Sequence, residues 1–101
     1  MSRIAELLEL LKAEPLDSFL NYVLALEYAK ENQQKKAIAL LEEILLRDGD
    51  YLGAYYQLGQ LYEQVLVPEK ARNAYLRGIE VAKRQKNIKT AGELNTALES
   101  L

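Results

Sequence analysis

Residues Gly53–Gln64 read GAYYQLGQLYEQ. Tyr55, Leu58, Gly59 and Tyr62 stand at i, i+3, i+4 and i+7, which is one stripe of an α-helix and not the alternation of a strand. A glycine inside a buried helical stripe costs about 1 kcal/mol relative to alanine, so a close approach of another helix is expected there. The same order occurs upstream in Asn21–Ala29, NYVLALEYA. Leu24, Ala25 and Tyr28 precede Leu58, Gly59 and Tyr62 by 34 residues each, and Ala37, Leu41 and Ile44 precede Ala71, Tyr75 and Gly78 by the same interval. A constant period of this length marks a stacked helical repeat.

In these residues the chain resembles the tetratricopeptide repeat, a helix–turn–helix unit of pattern W-x2-L-G-x2-Y…A-x3-F…P. The second copy runs Tyr55, Leu58, Gly59, Tyr62, Ala71, Tyr75. The first runs Asn21, Leu24, Ala25, Tyr28, Ala37, Leu41. Asn21 departs from the first aromatic, and Gly49 and Lys83 replace the closing proline. The missing proline after Lys83 predicts that the last repeat helix runs on to Gln85 or Lys86.

The expected fold is all-α, a right-handed helix–turn–helix solenoid of six antiparallel helices over residues 3–13, 18–31, 35–47, 52–65, 69–86 and 89–99. One domain covers 1–101. Residues 1–16 form an N-terminal half-repeat helix, 18–51 and 52–85 the two repeats, and 88–101 a closing helix. Met1 and the two end helices favour a self-contained unit, and the resemblance implies a small protein of bacterial type. Asp17 or Ser18 suits a helix cap. Thr90 with Glu93 has capping-box spacing. Pro68 suits a first helical turn. Gly59 is expected to let its helix approach its partner near Ala71, and Gly78 to do the same against the closing helix. On that reading Gly59→Ala is tolerated and Gly59→Leu is not.

The chain has 101 residues, 13 basic and 15 acidic, and a net charge of −2. It contains no cysteine and no histidine, which removes disulfides, thiolate or imidazole metal sites and imidazole catalysis. The start has no basic segment leading into an apolar run, and no stretch is apolar enough to span a bilayer. No catalytic constellation, metal-ligand cluster or phosphate-cradling loop appears. The expectation is a cytoplasmic, non-catalytic protein with no cofactor, no metal, no nucleic acid and no membrane among its partners.

The resemblance implies a concave groove lined by the first helix of each repeat, taking a protein or peptide. The residues it would place there are Phe19, Tyr22, Val23, Leu26 and Lys30, then Tyr56, Gln57, Gln60, Glu63 and Gln64, with Lys89 and Glu93 on the closing helix. Rings supply area at low entropic cost, and glutamine pairs with main-chain amides. A second reading has Phe19, Tyr22 and Leu26 covered by the N-terminal helix or by a second copy of the chain, in a homo-oligomer that buries the groove. One subclass of the family grips a C-terminal carboxylate with lysine, arginine and asparagine. Tyr22, Leu26 and Gln57 stand at the first of those places, so that clamp is not implied. Lys70, Arg77 and Arg84 recur every seven residues in a basic stretch, and read as a solvated outer face. Arg77→Glu is accordingly expected to be silent.

Overall fold

The computed structural model describes residues 2–101; Met1, on which the self-contained reading partly rests, lies outside them. Among the described residues there are six helices: α1 (Arg3–Ala13), α2 (Ser18–Lys30), α3 (Gln34–Arg47), α4 (Leu52–Gln64), α5 (Pro68–Arg84) and α6 (Ile88–Glu99). They fall into two compact units, one ending at Tyr51 and one comprising Leu52–Leu101.

In the first unit α2 packs against both α1 and α3. Leu7 and Leu11 of α1 close on Leu24 of α2, with Ile4, Leu20, Val23, Tyr28 and Leu40 around them. The α1–α2 link is held by side chains. The Asp17 carboxylate accepts the Leu20 amide at 2.8 Å, capping α2. Asn21, buried, donates through Nδ2 to the carbonyls of Pro15 at 3.0 Å and Asp17 at 2.8 Å. The departure at Asn21 therefore has a physical reason: an amide at this place satisfies two turn carbonyls that an aromatic ring could not.

In the second unit α5 packs against α4 and α6. Pro68 lies in the first turn of α5, as its sequence position predicts. Ala54, Tyr55, Leu58, Gly59, Leu61 and Tyr62 of α4 are buried, as are Ala71, Ala74, Tyr75, Gly78, Val81 and Ala82 of α5. A single closing residue, Leu94, is buried on α6.

Three helix ends share one geometry. Asn32, Leu66 and Lys86 have φ of 59°, 64° and 60°. At each, the following amide reaches back to the helix: Gln33 to Tyr28 (2.9 Å), Val67 to Tyr62 (2.9 Å) and Asn87 to Ala82 (2.8 Å). This is the Schellman arrangement, with the left-handed residue just past the helix end. Each connection is three residues long and folds the next helix back on the last. At Lys86 the turn ends α5 at Arg84, so the run-on expected toward Gln85 or Lys86 stops short. α6 also begins earlier than its spacing suggests. Asn87, not Thr90, is the cap, its side-chain oxygen accepting the Thr90 amide at 3.0 Å.

Candidate functional site

The core side of α4 decides what its outer side can present. A Cβ placed on Gly59 would fall 2.6 Å from Cζ and 2.7 Å from Cδ1 of Tyr75. The ring of Tyr75 thus lies on the bare backbone of Gly59, so an alanine there requires the ring to shift, against the expectation that it is tolerated. Gly78 meets the closing helix as expected, its missing Cβ 3.0 Å from Cδ1 of Leu94 on α6, but its nearest neighbour is on α4, Cβ of Tyr55 at 2.7 Å. The register makes both substitutions reciprocal. Where the first repeat has Ala25 with Leu41 and Asn21 with Ile44, the second has Gly59 with Tyr75 and Tyr55 with Gly78. A larger side chain on one helix is matched by a smaller one on the other, as close packing requires.

Tyr75 is 0% exposed, and its hydroxyl crosses to the polar stripe of α4. Gln60 donates from Nε2 to the Tyr75 oxygen at 2.7 Å. The hydroxyl in turn donates to a Glu63 carboxylate oxygen. Burial, then the hydrogen bond to the Glu63 carboxylate and its charge, push the Tyr75 phenol well above the ordinary range, against the lowering effect of Gln60. Tyr56 stands beside this group, its ring centroid 6.3 Å from that of Tyr75, and is 36% exposed. Gln57 is half-buried and Gln64 exposed. Tyr56, Gln60 and Glu63 are therefore brought together around one buried phenol, which spacing on α4 alone does not disclose.

In the first unit Phe19 is 63% exposed, Lys30 is exposed, and Tyr22, Val23 and Leu26 are half-buried. Val23 belongs to the α1–α2 core, so its place is packing. Lys30 reaches Glu27 at 3.1 Å. Tyr22 meets a residue outside the expected set: the ring of Tyr51, at the end of the α3–α4 link, lies 5.3 Å from it at 49°. Burial, followed by Tyr22, Asp17 and Asp48, raises the Tyr51 phenol. Lys89 and Glu93 on α6 are exposed.

The basic residues are not simply solvated. Lys70 lies over the Tyr62 ring at 5.6 Å and Arg77 over the Tyr55 ring at 5.6 Å. Lys36 lies over Tyr28 at 5.3 Å, the 34-residue counterpart of Lys70 over Tyr62. Such contacts contribute about 0.5–1 kcal/mol at exposed sites, so Arg77→Glu is expected to lower stability by about that much, apart from any effect on binding. Among the described residues no group of three acidic side chains is arranged to hold a metal ion, and no helix is long and apolar enough to cross a membrane.

Paired helices in 34-residue register, joined by left-handed three-residue turns, define a helical-repeat module of the protein-interaction class. The chain belongs to the tetratricopeptide repeat family. It is 40% identical to a tetratricopeptide repeat domain protein from Salinibacter ruber. The crystal structure of that protein superposes with a TM-score of 0.79, covering 83% of this chain and 93% of that one. The solution structure of a Salinibacter ruber tetratricopeptide repeat domain protein gives a TM-score of 0.82 at 40% identity, over 86% and 88% of the two chains. A protein from Bordetella parapertussis shares the fold at a TM-score of 0.86 over 99% and 87% of the chains, with 23% identity. No family model matches the chain. No curated protein matches it. The fold is accordingly an all-α helical-repeat solenoid.

Proposed function

We propose that this chain is a non-catalytic module that binds a peptide or protein segment on the outer faces of its first repeat helices, α2 and α4, in an adaptor or assembly role. The observation that carries the reading is the outer face of α4. Tyr56 keeps an exposed ring beside the amides of Gln57 and Gln60, on a helix whose other side is fully committed to the core. Aromatic anchors with adjacent amide groups suit an extended segment, the ring supplying area and the amides pairing with main-chain groups. The Tyr75 hydroxyl holds Gln60 in place, which lowers the ordering cost of binding. On α2, in the first unit, Phe19 and the Tyr22–Tyr51 pair present rings of the same kind.

The test is site-specific photo-crosslinking. A benzophenone side chain replaces Tyr56 in one variant and Arg72, exposed on α5, in another. Both are irradiated in extract of the native cell, and the products are sequenced by mass spectrometry. The reading expects a defined protein product from position 56 and none from position 72. Products from position 72 alone would overturn it. A product at position 56 that is this chain itself, with a dimer in light scattering, would favour self-association instead.

A further inference from the structure

Glu63 is the single charged residue of α4. Its carboxylate is held by a neutral donor, the Tyr75 hydroxyl, and has no lysine or arginine within ion-pair distance among the described residues. Two other glutamates, Glu9 and Glu27, stand beside a lysine of their own helix, Lys12 at 2.8 Å and Lys30 at 3.1 Å. Glu63 is also half-buried, where a charge is less screened than on an open surface. Two turns before it stands Tyr56, with an exposed ring whose aromatic neighbour is Tyr75. Elsewhere in the chain, the rings of Tyr28, Tyr55 and Tyr62 each carry a lysine or arginine from the same chain. The face of α4 thus offers a partly exposed ring and a carboxylate held by a neutral donor, joined beneath by the buried ring of Tyr75.

We propose that the segment bound on α4 is basic: a lysine or arginine lays its methylene stem along Tyr56 and sets its charge on Glu63. The inference rests on the reading of α4 as a binding face and adds the chemistry of the occupant. The geometry fits. Tyr56 and Glu63 are seven residues apart, about 10 Å along the helix, a distance shared between the Tyr56 ring and a long cationic side chain. The carboxylate is oriented before the ligand arrives, because Tyr75 is packed and Gln60 fixes its oxygen. Charge complementarity of this kind selects partners and guides their encounter. The preference belongs to the second repeat alone. Counting back 34 residues, Tyr56 corresponds to Tyr22, but Gln60 and Glu63 correspond to Leu26 and Ala29.

The experiment titrates the full chain, labelled with nitrogen-15, with three synthetic peptides of about ten residues. They share a leucine- and serine-containing frame and carry arginine, glutamine or glutamate at two positions. The arginine peptide is expected to shift the amides of Tyr56–Gln64 and to bind at least tenfold more tightly than the glutamine peptide; the glutamate peptide is expected to bind least. Glu63→Gln keeps an acceptor for the Tyr75 hydroxyl and should remove the arginine preference, bringing the arginine peptide to the affinity of the glutamine peptide. Equal affinity for arginine and glutamine peptides at α4 overturns the basic-segment proposal and leaves the binding face standing. Shifts confined to α5, or none with any peptide, overturn both. Should Glu63→Gln fail to fold, the comparison of the three peptides on the parent chain decides alone.

Discussion

Gly59→Ala is the smallest change that probes the packing of the second repeat. An alanine methyl at this place would overlap the Tyr75 ring, at 2.6 Å from Cζ and 2.7 Å from Cδ1, where ordinary contact begins near 3.4 Å. The ring, wholly buried, must retreat by roughly 1 Å. Overpacking of this kind costs about 1–3 kcal/mol. Moving the ring also strains the hydrogen bonds of its hydroxyl with Gln60 and Glu63, each of which contributes about 1 kcal/mol or more. Against this, alanine gains about 1 kcal/mol in helix propensity. The net expectation is a loss of about 1–3 kcal/mol, or a fall in Tm of roughly 5–20 °C for a domain of this size. Urea melts and thermal melts of parent and variant measure it. The informative partner is Tyr75→Leu, which in the alanine background recreates the Ala25–Leu41 pairing of the first repeat. The double variant should be more stable than the sum of the single effects predicts, by at least about 0.5 kcal/mol. If Gly59→Ala is as stable as the parent, the account of a ring seated on bare backbone is wrong.

Other expectations follow from the turns, the phenols and the closing helix. Leu66 holds φ of 64° while 85% exposed, so Leu66→Gly should stabilise the chain by about 1 kcal/mol by removing a left-handed side chain from a Schellman turn; a lower urea midpoint would contradict this. The folded state raises the Tyr75 and Tyr51 phenols above their unfolded value near 10. Their contribution to stability is therefore complete below pH 10 and lost as pH rises beyond it. In an absorbance titration near 295 nm, the Tyr75 and Tyr51 phenols should ionise only above that range or together with unfolding; a titration complete near pH 10 with the fold intact would rule this out. Removal of residues 88–101 uncovers the side of α5 at Gly78, where Leu94 now packs, and should give aggregation, as loss of a terminal cap does in solenoids. A truncated chain that stays monomeric with an unchanged melt would show that α6 is dispensable.

The helices were legible in the sequence because the apolar period and the 34-residue register agree. Their buried faces, from Leu24 and Ala25 to Tyr75 and Gly78, lie where that register puts them. Helix ends were less so. Thr90 and Glu93 have the spacing of a cap, yet Asn87 takes the role, because a left-handed residue at Lys86 turns the chain early. A left-handed leucine or lysine carries no compositional signal of the sort that glycine gives. The candidate site was legible as a set of residues on α4 and not as an arrangement. The hydroxyl that organises Gln60 and Glu63 comes from Tyr75, 15 and 12 residues away, on a different helix. Its motif position marks it only as core. The same limit hid Tyr51 beside Tyr22 and the cations over Tyr55 and Tyr62, since each pairing crosses between elements.

The central claim, that α4 binds through Tyr56, is tested most directly by calorimetric titration of the segment crosslinked at position 56. The parent and Tyr56→Ala are compared, and a thermal melt of each is recorded beside the titration. The account predicts at least a tenfold loss of affinity, about 1.4 kcal/mol, with the melt lowered only by the loss of the Tyr56–Tyr75 ring contact, about 0.5–1.5 kcal/mol. An unchanged affinity would contradict it, and so would a collapse of the melt, which would make Tyr56 a core residue.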